Sequence, residues 1–118
     1  MVDSSRRKAY RKGLWAERIA AIFLLAKGYR ILAMRYKSKM GEVDIIARRG
    51  HLIIAVEVKA RQSIDEAVHA VNYETTQRVE SAADYWLSQQ RNASELSLRF
   101  DIVAISPWRW PLHLVDAF

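Results

Sequence analysis

The sequence predicts a single α/β domain with the element order α-β-β-β-α-β-β. Three observations predict it. An apolar segment at helical spacing runs from Leu14 to Ala26 and stops at Gly28. The stretch Gly41 to Lys59 alternates like two strands joined at Arg49-Gly50. A capped helical region from Ser63 to Gln90 is followed by another alternating segment, Leu98 to Ile105. At 118 residues, 51% of them apolar and 27% charged, the chain suits one globular core.

Residues 1–12 are polar and basic and are expected to be mobile at their start, leaving 13–118 as the folded domain. In the first helix Trp15, Ile19, Ile22, Phe23 and Ala26 recur at helical spacing. Ala20, Ala21, Leu24 and Leu25 make it apolar nearly all round, so it is expected to be largely buried. Glu17 lies on it. A charge on a buried helix needs a partner or a metal, although a first-turn carboxylate also favours the helix dipole. Tyr29 to Lys37 reads as the first strand and ends in Arg35, Tyr36, Lys37 and Lys39. That mixture of cations and an aromatic suits phosphate contact and base stacking, or simply a solvated strand end.

The central hairpin carries the chemistry. Val43, Ile45 and Ala47 share one face of its first strand; Leu52, Ile54, Val56 and Val58 share one face of its second. A two-residue loop at 49–50 puts Val43 opposite Val56, Ile45 opposite Ile54 and Ala47 opposite Leu52. A one-residue slip would turn one apolar face to the wrong side. In this register Asp44 and Glu57 are diagonal neighbours on the other face, roughly 7–8 Å apart. Lys59 follows two residues on. Carboxylates forced together repel, and a hard divalent cation removes the conflict. The plainer reading is an exposed Asp44 and a surface pair between Glu57 and Lys59.

Ser63 and Glu66 form a capping box that starts a short helix to Val71. A longer helix is expected from about Thr76 to Gln90. Its apolar stripe is Val79, Ala82, Ala83, Trp86 and Leu87, with Gln77 and Arg78 at its polar start. In the strand Leu98 to Ile105, Arg99 and Asp101 share a face and are placed to pair. Pro107 and Pro111 bracket Trp108-Arg109-Trp110, a turn whose tryptophans are either core or a dimer contact. Leu112 to Ala117 reads as a final strand.

Composition excludes several classes. Without cysteine there is no disulfide and no thiolate chemistry. His51, His69 and His113 are scattered without ligand spacing. No glycine-rich phosphate loop, Walker motif or Ser-His-Asp arrangement is present. The apolar run Ile19–Ala26 is too short to span a membrane, so a cytoplasmic protein without membrane contact is expected. Residues 1–39 carry eleven Lys/Arg against two Asp/Glu, and residues 40–118 eight against eleven. The balances of +9 and −3 make up the net +6. A basic first third beside an acidic cluster suggests a polyanion partner and a cation site.

Asp44, then Glu57-Val58-Lys59, with Glu17 on a preceding helix, resembles the D…ExK signature of the PD-(D/E)xK nuclease superfamily. More narrowly, the chain resembles the UPF0102 or YraN family, small endonucleases similar in fold to archaeal Holliday junction resolvases. The matching segments are Gly13-Leu14-Trp15-Ala16-Glu17, Gly28-Tyr29, Gly41 to Ala47, Val56 to Arg61, and Arg99-Phe100-Asp101. The resemblance implies a restriction endonuclease-like α/β fold, with a central mixed β-sheet flanked by α-helices. It implies Mg²⁺ or Mn²⁺ bound by Asp44 and Glu57, with the Val58 carbonyl as a further ligand and Glu17 completing the set. Lys59 would orient the attacking water. The catalytic set would then be Glu17, Asp44, Glu57 and Lys59. DNA, branched or junction DNA in particular, would be the substrate. Arg35, Lys37, Lys39, Arg61, Gln77 and Arg78 would hold its backbone, and a homodimer would supply one site per strand. Where family members often carry a lysine at the start of the later helix, this chain has Thr76. The alternative is a nucleic-acid-binding module that keeps the fold but does not cut.

Overall fold

In a computed structural model that describes the backbone of residues 2–118 and the side chains of 11–118, the alternating segments assemble into one five-stranded sheet. Its strands are β1 (Arg30–Ser38), β2 (Gly41–Arg49), β3 (Leu52–Ala60), β4 (Ser97–Ile105) and β5 (Leu112–Leu114), in spatial order β1-β2-β3-β4-β5. β3 and β4 are parallel and the other neighbours antiparallel, so the sheet is mixed. The parallel pair needs a long crossover, which α2 (Ile64–His69) and α3 (Tyr73–Ser88) supply. The α/β class and element order therefore stand as the sequence predicts.

The sheet is buried on both faces. Ile45, Ala47, Ile54, Val56, Val58 and Val103 pack against Ala16, Ala20 and Leu24 of α1 (Val2–Ala26). Val43, Ile46, Ile53 and Ala55 pack against Val79, Ala82 and Ala83 of α3. β2 and β3 both carry apolar residues toward both layers, which explains the near-continuous hydrophobic run of β3. Burying a side chain such as Leu24 contributes about 1.5–3 kcal/mol.

Several boundaries differ from expectation. α1 begins at Val2, not Leu14, because Arg, Lys and Ala are good helix formers even without an apolar stripe. The side chains of Arg6, Arg7 and Lys8 lie outside the described residues. α1 buries Ala16, Ala20 and Leu24 but leaves Trp15, Ile22 and Leu25 exposed, so it is covered on one side only. Small Ala16 and Ala20 let the helix approach the sheet closely with Leu24 buried beside them, while Trp15, Ile22 and Leu25 turn away. α3 starts three residues early because Asn72 caps it, its Oδ1 accepting from the Thr75 N–H at 2.9 Å. Gln77 and Arg78 are consequently in its second turn. The capping oxygen of Ser63 is where the sequence put it, accepting from the Glu66 N–H at 3.1 Å. β5 ends at Leu114, before Asp116 at φ 54.

The hairpin register is shifted by two residues. Arg49 pairs with Leu52, Ala47 with Ile54 and Ile45 with Val56, with Gly50 and His51 in the turn. Gly50 takes φ 62, a conformation that favours glycine, at the first turn position. A two-residue shift preserves which face each side chain occupies, so alternation could not choose between the registers. Val43 is a true exception to the predicted face: it packs on the α3 side while Ile45 packs on the α1 side. The alternation breaks at Asp44. Across the β1 ladder, between the pairs Met34–Ile45 and Tyr36–Val43, stands Arg35 at φ 52. The irregularity is shared by both strands.

β2 and β3 part company at this point. Their pairing ends at Ile45–Val56. Beyond it β2 stays with β1 as far as Gly41–Ser38, and β3 stays with β4 as far as Ala60–Ile105. The sheet thus opens into a fork whose first residues are Asp44 on one prong and Glu57 on the other. The β2 prong is seated against α3: a Cβ on Gly41, at φ 150, would meet the Arg78 carbonyl oxygen at 2.3 Å.

Candidate functional site

Asp44 bridges the mouth of the fork. Its Oδ2 accepts a hydrogen bond from the Val58 N–H at 2.9 Å, a backbone donor freed where the β2–β3 ladder stops. Glu57 is 7% exposed, and its Oε1 lies 3.3 Å from Lys59 Nζ. The pair between Glu57 and Lys59 is therefore real but sits inside a cleft. Asp44 and Glu57 point into the same space, a cleft of about 460 Å³ that Glu17, Lys59 and Arg61 also line. With α1 starting at Val2, Glu17 lies deep within the helix, and the dipole explanation for its charge falls away. It is 8% exposed and accepts from Arg35 Nε at 2.7 Å.

The two carboxylates resist ionisation. Burial first, and the charge of Glu17 second, push Asp44 up to about 6, against the opposing effect of the Val58 amide and Lys59. Burial and then the Asp44 carboxylate push Glu57 up to about 7, with Lys59 opposing. In the unfolded chain both titrate near 4. Without a cation the native state therefore holds more protons than the unfolded chain between about pH 4 and 7, and stability falls as pH rises through that window. The metal-free melting temperature should drop from about pH 5 to pH 8, and Glu57→Gln should flatten the profile. A wild-type profile no steeper than that of Glu57→Gln would contradict the burial of this pair.

Among the described residues, no three His, Cys, Asp or Glu side chains gather closely enough to hold a metal ion by themselves. Asp44 and Glu57 stand at the mouth of the fork, Glu42 lines the same cleft, and Glu17 is engaged by Arg35. Such a short protein donor set suits a cation that keeps several waters, as Mg²⁺ does.

The residues expected to contact a polyanion separate into two groups. Arg61 lines the main cleft, Arg78 lines a smaller opening on the α3 side, and Lys37 and Arg35 line a third opening toward β1. Lys39 and Gln77 stand outside these three openings; Gln77 donates to the Tyr73 hydroxyl at 2.8 Å.

A second polar cluster lies at the other side of β4. Asp101 is fully buried and receives Arg99 Nε and Nη2, each at 2.8 Å, His113 Nε2 at 2.7 Å and the Asp116 N–H at 2.9 Å. Burial by itself would raise its pKa, but these hydrogen bonds outweigh it and hold Asp101 down at about 2. Lys27 Nζ lies 2.6 Å from His113 Nδ1. An ammonium can only donate, so Nδ1 accepts and Nε2 carries the proton given to Asp101. Arg99 also donates to the Tyr29 hydroxyl at 3.0 Å. The pairing of Arg99 with Asp101 was visible as a two-residue spacing. His113 was not, because its partner is on another strand and its sequence neighbours are apolar.

The model of the uncharacterised protein family UPF0102 matches residues 16–105, which include every residue of the fork. The chain belongs to the UPF0102 family. It is similar over nearly its whole length to curated UPF0102 proteins. It is 55% identical to one of Mesorhizobium japonicum, over 98% of this chain and 93% of the relative. It is 55% identical to one of Sinorhizobium medicae and 56% identical to one of Agrobacterium fabrum, each over 98% of this chain and 95% of the relative. Among the described residues of this UPF0102 protein, no helix is long and apolar enough to cross a membrane.

Proposed function

We propose that this UPF0102 protein is a divalent-cation-dependent DNA endonuclease of the restriction endonuclease-like kind, acting in the cytoplasm. The single observation that carries the reading is the forked sheet with Asp44 and Glu57 facing one cleft and Lys59 beside them. Two buried carboxylates with raised proton affinity are poor as a structural pair, since each disfavours the charge of the other. They fit a hard cation, Mg²⁺ or Mn²⁺, with the Val58 carbonyl as a candidate third oxygen and Glu17 contributing through water. Bound there, the cation would neutralise charge on a phosphodiester and lower the pKa of a bound water.

The chain's own residues do the rest. Asp44 and Glu57 would hold the cation where the β2–β3 ladder ends. Lys59 is placed to orient the attacking water and to meet charge on the phosphate. Arg61, Arg78 and Lys37 flank the openings as backbone contacts, which position a duplex without reading its sequence. The cleavage test uses labelled linear, nicked, flapped and four-way-junction DNA with Mg²⁺ and with Mn²⁺. Metal-dependent strand scission, lost in Asp44→Asn with DNA binding retained, is the expected result. DNA binding without cutting of any substrate under either metal would instead make the protein a binding module on this fold.

A further inference from the structure

Beside the acidic fork the same face carries a second cleft, of about 350 Å³. Lys12, Ala16, Ala60 and Arg61 line both, so the two are continuous. The second adds Trp15, Ile105, Trp108 and Arg109. Trp15 is 68% exposed and Trp108 fully so. Packing accounts for neither indole. Trp108 also takes φ 61, a left-handed conformation that is strained for a bulky side chain. The turn that imposes it is bracketed by Pro107 and Pro111, whose rings restrict the backbone. An unburied indole on a strained backbone, beside a candidate active site, calls for a ligand.

We propose that this cleft receives unpaired bases of a single-stranded DNA segment adjoining the bond at the fork. The inference rests on the endonuclease reading and deepens it by naming the substrate class. Indole faces stack on any base, and Lys12, Arg61 and Arg109 complement the phosphates that accompany those bases. Arg61 belongs to both clefts, so it contacts the backbone between the stacked bases and the acidic fork. A second copy of this chain is the poorer occupant. Self-contact would bring Lys12, Arg61 and Arg109 toward their own counterparts, on a protein of net charge +6.

The test measures binding of the full chain in EDTA, so that cleavage does not enter. The probes are an oligothymidylate of about 16 nucleotides and a blunt duplex of the same length. Trp108→Gly removes the indole and suits the left-handed backbone, so its melting temperature should equal or exceed the wild type's. Its affinity for the single strand should fall about tenfold or more, with duplex affinity unchanged. Unchanged single-strand affinity, or an equal loss on both probes, would overturn the proposal. So would sedimentation in which Trp108→Gly turns a dimer into a monomer while single-strand affinity persists, which would assign the cleft to a second copy. Because no metal is present, the two readings fail separately. Stacking without metal-dependent cutting sinks the endonuclease reading, and cutting without any effect of Trp108 sinks this one.

Discussion

Lys59→Ala is expected to slow single-turnover DNA cleavage by about 10²–10⁴-fold, the usual worth of a positioned proton-transfer group. Affinity for uncut DNA should change little, because one cation among several flanking the cleft is removed. The expectation follows from position. Lys59 Nζ is 3.3 Å from Glu57 Oε1 and only partly exposed, so it is held at the fork rather than swinging in solvent. Lys59→Arg should not restore the rate fully, since a broad planar guanidinium does not present its donors where the compact ammonium does. A Lys59→Ala rate equal to the wild type's would remove Lys59 from the chemistry and leave it as a partner of Glu57 alone.

The largest expected effect on stability lies elsewhere. Asp101→Ala should lower the free energy of unfolding by about 3–5 kcal/mol, read from urea denaturation. The carboxylate is fully buried and satisfies Arg99, His113 and the Asp116 N–H at once. Its removal leaves a guanidinium without its counter-charge and two further donors without an acceptor. The cluster ties β4 to β5 and, through Lys27 and Tyr29, to the end of α1. Among the described residues its hydrogen bonds and ion pairs reach neither Asp44, Glu57 nor Lys59, so Asp101→Ala should lose stability without acquiring a specific defect in cation binding. A loss below about 1 kcal/mol would show that the network relaxes or is hydrated when the carboxylate is absent.

Much of this was legible in the sequence because it is written in short-range pattern. The alternation of β3, the caps at Ser63 and the spacing of Asp44, Glu57 and Lys59 are local features. What escaped was set by geometry over longer distances. Period-two alternation cannot detect a two-residue slip, and only Gly50 at φ 62 settles the turn. The fork itself depends on where the β2–β3 ladder stops, which no local pattern states. The break of alternation at Asp44 coincides with Arg35 at φ 52 on the neighbouring strand, a feature no local pattern in β2 shows. The exposed side of α1 was misread because Ile22 and Leu25 are as apolar as its buried face; small Ala16 and Ala20 decide which side meets the sheet.

The central claim is that Asp44 and Glu57 jointly hold a divalent cation, and calorimetric titration with Mn²⁺ near pH 8, without DNA, tests it most directly. Near that pH both carboxylates are free of protons, so competition is least. The account predicts saturable binding by the wild type, abolished by Asp44→Asn and by Glu57→Gln while Asp101→Asn leaves any folded protein binding normally. Equal Mn²⁺ binding by the wild type and by both fork variants would contradict it.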